Sequence, residues 1–136
     1  MVTLELQTRG RDQFMNLDGM LEQACREQGW RNGLLFVFIP HTTAGVTINE
    51  NADPDVRADI IHVLDRLIPR TGPYAHAEGN TAAHVKASLM GSSVTVAVTD
   101  GKLQLGTWQS IFFCEFDGPR RRKVVLHFQP DAGQSL

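Results

Sequence analysis

The sequence predicts an α+β domain of mostly antiparallel, sandwich-like sheets with two to three helices, a single domain over residues 1–136. Three observations carry this. Alternating apolar residues recur near both ends of the chain, two stretches of helical spacing with clear stops lie between them, and hairpin signals crowd the last third. No linker, repeat or low-complexity tract divides the chain.

Each element has a local reason. Val2, Leu4 and Leu6 alternate with Thr3, Glu5 and Gln7, the pattern of a half-buried strand. Leu17, Met20, Leu21, Ala24 and Cys25 follow at helical spacing, and Gly29 ends that helix. Cys25 falls on its apolar stripe and reads as core. Leu34, Leu35, Phe36, Val37, Phe38 and Ile39 leave no polar face, so Gly33 to Ile39 reads as a fully buried strand that Pro40 ends. Val46, Thr47 and Ile48 suggest a short strand after Gly45. Asp53 and Pro54 then make a strong helix start, as N-cap and first helical residue. Val56, Ile60, Val63, Leu64 and Leu67 mark the buried face of this helix, and Pro69 stops it. Residues 70–80 form a loop. Asn80 or Thr81 caps another helix, which runs to about Met90 and ends at Gly91. Val94, Val96 and Val98 alternate, Asp100-Gly101 is a hairpin turn, and strands follow near 103–105, 108–116 and 123–128.

Composition narrows the function classes. A chain of 136 residues with 42% hydrophobic and 21% charged residues can pack a core without disulfides or metal. A formal net charge of −2 removes the electrostatic case for nucleic acid or an anionic membrane as partner. Cys25 and Cys114 lie far apart and form no zinc-ribbon spacing. The opening residues do not read as a signal peptide and no apolar run approaches 18 residues, so the expected compartment is the cytoplasm.

The five histidines differ in kind. His62 lies on the polar face of its helix, among Asp55, Asp59 and Asp65, and reads as solvated. His127 alternates with Val124, Leu126 and Phe128 and reads as structural or surface. His41 follows a buried strand and Pro40, with the hydroxyls of Thr42 and Thr43 beside it. It either caps a turn or is displayed where rigid scaffolds present reactive groups. His76 sits in the loop and His84 about one turn into the next helix, so both imidazoles can meet over that helix start, with Glu78 and Asn80 between them. Convergence of His41, His76 and His84 on one pocket would satisfy a divalent ion, zinc or another transition metal, and leave a position for water or substrate. A phosphate at the helix N-terminus is the alternative occupant. Glu50, in Asn49-Glu50-Asn51, is a candidate acid or base. The run Arg120-Arg121-Arg122-Lys123 is most simply a solvated hairpin tip, with phosphate binding as the sharper reading. Trp108 is either core or a flat stacking face.

Three segments carry a resemblance: His41-Thr42-Thr43-Ala44-Gly45-Val46-Thr47-Ile48-Asn49-Glu50-Asn51-Ala52-Asp53-Pro54-Asp55-Val56, Ala83-His84-Val85-Lys86-Ala87-Ser88-Leu89-Met90-Gly91, and Gly101-Lys102-Leu103-Gln104-Leu105-Gly106-Thr107-Trp108-Gln109-Ser110-Ile111. In this order they resemble the YjbQ-type family, whose members are described as secondary thiamine-phosphate synthases. The resemblance implies a homotrimer and a site built around His41, His76 and His84, with Glu78, Asn80, Asn49 and Glu50 nearby. It implies a reaction joining a pyrimidine methyl diphosphate to a thiazole phosphate with release of pyrophosphate. On that reading Glu78, Glu50 and His41 are the catalytic candidates. Thr42, Thr43, Asn49, Asn80, Lys86, Trp108 and Gln109 are the candidates for holding a small phosphorylated metabolite. Lys86 and the helix start near Asn80 would neutralise a departing diphosphate, and Trp108 would face a cationic pyrimidine methyl group. Two other classes compete: a metal-dependent hydrolase of a phosphoester or amide with Glu78 or Glu50 as base, and a non-catalytic metabolite- or metal-binding trimer. The apolar residues on both sides of the strand holding Ile111, Phe112 and Phe113 are expected to want cover from a neighbouring copy.

Overall fold

A computed structural model of the chain describes residues 1–133. Its strands are β1 (Val2–Gln7), β2 (Gln13–Asn16), β3 (Gly33–Phe38), β4 (Ala44–Glu50), β5 (Ser93–Thr99), β6 (Lys102–Leu103), β7 (Gln109–Glu115) and β8 (Arg121–Pro130). Its helices are α1 (Asp18–Gln28), α2 (Pro54–Leu67) and α3 (Thr81–Met90). The strands form a five-stranded sheet in the order β1-β8-β3-β5-β6 and a three-stranded sheet in the order β2-β7-β4, with antiparallel pairing throughout. This is the α+β class that the sequence predicts. Among the described residues no helix is long and apolar enough to cross a membrane.

The two sheets stack through one core, in which Leu35, Val37, Val96, Val98, Val124 and Leu126 of the large sheet meet Val46, Ile111 and Phe113 of the small one. Leu21, Ala24 and Cys25 of α1 join this core, so Cys25 is buried as its position on the stripe requires. A second core lies on the other side of the small sheet. There Phe112 and Cys114 meet Leu64 and Ile68 from α2 and its end, and Ala82, Ala83 and Ala87 of α3. Both faces of β7 are therefore covered within one chain, and its two apolar faces give no argument for a second copy. Packing of α3 onto β4 is close at Gly45, where an added Cβ would stand 2.6 Å from the Gly91 carbonyl oxygen. That carbonyl accepts the Val46 N–H at 3.0 Å, which ties the end of α3 to the start of β4.

Local signals hold at the element ends. Asp53 accepts the Asp55 N–H at 2.9 Å and Pro54 opens α2. Gly29 closes α1 in the left-handed conformation. Asp100 and Gly101 both take positive φ, 52° and 77°, as a tight hairpin between β5 and β6 demands.

Two expectations are corrected, and one strand is new. β3 is buried on one face only: Leu35, Val37 and Ile39 point inward, while Leu34, Phe36 and Phe38 line the outer face of the large sheet and are partly exposed. The buried face of α2 is carried by Leu64 and the half-buried Ile60 and Ile61, while Val63 and Leu67 are exposed. Periodicity alone does not say which of two overlapping apolar stripes meets the sheet. β2 had no expectation at all, because Gln13-Phe14-Met15-Asn16 is too short to show alternation.

Candidate functional site

β3 delivers the chain to Pro40 and His41, β4 leaves again from Ala44, and α3 begins at Thr81 across from them. Between these ends lies an open cleft of about 790 Å³ lined by His41, Thr42, Thr43, His76, Glu78, Asn80 and His84. All three histidines that the sequence singles out line this cleft. The rings of His76 and His84 meet edge to face, 5.3 Å between centroids. His76 Nδ1 lies 3.0 Å from Thr81 Oγ1, and its Nε2 is 3.6 Å from Glu78 Oε1. His41 and His84 also share an adjoining recess with Thr42 and Ser92.

His41 is fixed by a bond that the sequence does not advertise. Its Nε2 accepts the Lys123 backbone N–H at 2.9 Å. A ring nitrogen that accepts carries no proton, so the neutral imidazole holds its proton on Nδ1. Burial, reinforced by the neighbouring Arg122 charge and opposed by Glu115, holds its pKa below the usual histidine value. Among the described residues no three of His, Cys, Asp or Glu are arranged to hold one metal ion. His41 supplies one physical reason, since a metal ligand must offer a lone pair and the one on Nε2 is already engaged. In this arrangement the three imidazoles do not fit a shared zinc-like ion.

At the start of α3, Asn80 occupies the N-cap position but makes no side-chain cap. Its Nδ2 donates instead to Asp117 Oδ2 at 2.9 Å, and its Oδ1 is buried without a partner. Thr81 also does not cap, because its hydroxyl meets His76. The helix end thus keeps unbonded backbone donors beside the cleft.

Sequence reasoning undervalued part of the lining. Arg120, Arg122, Asp117 and Ser92 also line the cleft. The solvated-hairpin reading of Arg120–Lys123 fails for Arg122, which is 3% exposed. Arg122 lies on the inward face of β8 with Val124 and Leu126, and this period-two alternation is the signal that could have found it. Its Nε donates to Glu115 Oε1 at 2.8 Å, and its Nη2 donates to Glu115 Oε2 and, at 2.9 Å, to Thr43 Oγ1. Glu115, fully buried, also accepts the Thr8 hydroxyl at 2.7 Å and the N–H groups of Phe116 and Asp117 at 3.1 Å. Arg120 donates from Nε to the Asp117 carbonyl at 2.9 Å and from Nη2 to Asp117 Oδ2 at 3.1 Å.

Five expected site residues lie elsewhere. Lys86 is 2% exposed on the inner face of α3, and its Nζ donates to Asp12 at 2.9 Å and to Asp65. Its charge serves the packing of α2 and α3 and does not line the cleft. Asn49 and Glu50 end β4, and Gln109, paired with Glu50, opens β7 next to Trp108. β4 starts beside His41, so a seven-residue strand puts these four about 20 Å from it. Trp108 is 63% exposed there, which rules out the core reading.

A family model described as UPF0047 protein YjbQ-like matches residues 2–131. The chain is 49% identical to the UPF0047 protein YugU of Bacillus subtilis over 125 residues, 91% of this chain and 95% of that protein. It is also 49% identical to a UPF0047 protein of Methanocaldococcus jannaschii, over 90% of this chain and 88% of that one. Among solved structures, an uncharacterized conserved protein of the YjbQ/UPF0047 family from Clostridium acetobutylicum superposes with TM-score 0.91 at 52% identity, covering 95% of this chain and all of that one. A conserved hypothetical protein from Thermus thermophilus gives 0.90 at 40% identity, over 95% and 100% of the two chains.

Proposed function

The chain belongs to the YjbQ-like UPF0047 family, and from that premise we propose that its histidine-lined cleft binds a small phosphorylated metabolite and catalyses a transfer of the secondary thiamine-phosphate synthase kind. One observation supports this above others: His41, from one stretch of sequence, and His76, Glu78, Asn80 and His84, from another, line a single cleft. In the proposed reaction the thiazole nitrogen uses its lone pair to form a C–N bond to the pyrimidine methylene. The C–O bond to the diphosphate breaks, and pyrophosphate leaves with that electron pair. The chain's part is to hold both reactants in one place and to meet the departing charge with donors. The free N–H groups at the start of α3 and the Arg120 guanidinium are available for this. Glu78, exposed beside His76, is the candidate for proton handling at the cleft mouth. No step is assigned to a metal ion, because His41 would first have to release its bond from Lys123.

The test is product formation from the two phosphorylated precursors by the purified chain, before and after chelation and zinc addition. Thiamine phosphate above the uncatalysed rate, lost in His84→Ala, supports the proposal. No product under any of these conditions refutes it. Hydrolysis of simple phosphoesters that disappears on chelation would point to the metal-dependent hydrolase instead.

We also propose a homotrimer, as the resemblance implies. Two separate apolar patches support it: Leu34, Phe36 and Phe38 on the sheet, and Val63, Leu67, Val85 and Leu89 on the helices. Two different patches suit a head-to-tail contact, which closes into a ring. Sedimentation equilibrium at micromolar concentration gives three times 15.1 kDa if this is right and one times if it is not.

A further inference from the structure

The lining of the cleft that holds His76 and His84 includes a buried arginine whose donors are only partly used. Arg122 spends Nε and Nη2 on Glu115 and Thr43. Its Nη1 has no hydrogen-bond partner among the described residues. It is not sealed either, because Asn80 Oδ1 is the one side-chain polar atom that is both buried and unbonded there. Since Arg122 lines the cleft, Nη1 is open to the cleft. Beside it stands His41, whose Nε2 is held by the Lys123 N–H and whose remaining nitrogen, Nδ1, has no partner among the described residues.

Resting on the reading above that the cleft takes a phosphorylated ligand, we infer that Arg122 Nη1 and His41 Nδ1–H form the seat for one phosphate group of that ligand, with Glu115 as the residue that positions Arg122. Two donors in one cleft, with His41 held by the backbone N–H of the residue after Arg122, suit two oxygens of a phosphate. Both are pre-set. The bidentate Glu115 carboxylate fixes the guanidinium plane, and Glu115 is itself held by Thr8 and two backbone N–H groups. The Lys123 N–H fixes the imidazole in the tautomer that donates from Nδ1. Holding donors in place before the ligand arrives removes the ordering cost at the moment of binding. The Arg122–Glu115 pair is neutral as a unit, so the seat works by directed hydrogen bonds more than by net charge. Selection then favours a compact oxyanion with several acceptor oxygens. The same chemistry serves a phosphate ester, a diphosphate terminus or free phosphate.

The experiment uses the full chain with 15N-labelled histidine, inorganic phosphate and pyrophosphate as probes, and imidazole 1H–15N correlation spectra at pH 7.5. His41 is expected as the Nδ1–H tautomer, and saturating phosphate is expected to move its Nδ1 signal more than those of His76 and His84. Arg122→Lys should weaken phosphate binding about 10-fold or more, the loss of one charge-assisted hydrogen bond. Because that change touches a buried pair, His41→Ala serves as the second variant. It leaves Arg122 and Glu115 in place and should weaken binding roughly 5-fold, the worth of one neutral hydrogen bond. The seat is overturned if His41 is the Nε2–H tautomer, if phosphate moves His76 and His84 but not His41, if both folded variants bind as the parent does, or if phosphate fails to bind at millimolar concentration. Turnover of the two precursors is read separately. Phosphate seated as described without turnover leaves the seat standing and removes the transferase. Unchanged turnover in both variants does the reverse.

Discussion

Replacing Glu115 by alanine tests the buried frame behind the cleft more directly than any change in the cleft itself. Glu115 is fully buried and accepts from Arg122 twice, from Thr8 and from two backbone N–H groups. Its removal leaves a guanidinium that is 3% exposed without its counter-charge. Breaking one side of such a pair costs about 3–5 kcal/mol. For 136 residues, an unfolding entropy of about 2.1 cal/mol/K per residue makes 1 kcal/mol worth about 3–4 °C, so Tm should fall by roughly 10–17 °C. The double variant Glu115→Leu with Arg122→Met discriminates the cause. Removing both charges replaces a desolvated pair by apolar groups, which is often neutral or better. The double variant should therefore lose less than Glu115→Ala alone, as read by calorimetry or by chemical denaturation with an unchanged m-value. A double variant as unstable as the sum of the single ones would refute the reasoning, because Arg122 would then not be the group left stranded.

Other predictions follow from the same geometry. The His41 pKa lies below its ordinary value of 6.5, so the unfolded chain binds that proton more readily; stability is intact above about pH 6.5 and falls as pH drops below it, and His41→Ala should flatten that part of a pH series of denaturation midpoints. Lys86→Met should destabilise by about 2–4 kcal/mol in urea denaturation, the lower end applying because Arg11 and Arg70 remain near Asp12. Gly45→Ala should cost at least about 2 kcal/mol in the same assay, since the new methyl would meet the Gly91 carbonyl in rigid backbone. Burial pushes the thiols of Cys25 and Cys114 upward, so a thiol reagent at pH 8 should titrate neither in the native chain and both after denaturation.

Much of this fold is legible because its local rules and its tertiary packing agree. Asp53-Pro54, Asp100-Gly101 and Gly29 specify their caps and turns without help from the rest of the chain. The histidine cleft is legible for a similar reason: His76 and His84 are close in sequence, and the end of a buried strand leaves few places for His41. What stayed hidden depends on pairings between elements that spacing alone does not give. Glu115 is only seven residues from Arg122 but sits on the preceding strand, Thr43 lies 79 residues away, and a run of four basic residues looks solvated until the period-two face is counted. Lys86 fails in the opposite direction, since a cation on a helix next to His84 looks available, while Asp12 and Asp65, far from it in sequence, have already taken it. Val63 and Leu67 were placed in the core by spacing, but α2 turns Leu64 toward β7 and presents the other two outward.

These displacements bear on how the site can work. In one chain the histidines sit at one end of β4 and Asn49, Glu50, Trp108 and Gln109 at the other, with a full strand between them. Within a chain, His41 and Glu50 cannot act on the same atom. Glu78, which lines the cleft with His41 and pairs loosely with His76, is then the one carboxylate among the three catalytic candidates that can reach a ligand there. The second apolar face of β7, which suggested a neighbouring copy, is already closed by α2 and α3. The outer face of β3 and the outer faces of the helices still offer a neighbour exposed apolar residues, Phe36 and Phe38 or Leu67 and Leu89. Phe38 lines both that outer face and the cleft. A copy seated on the sheet would therefore touch the rim of the histidine site.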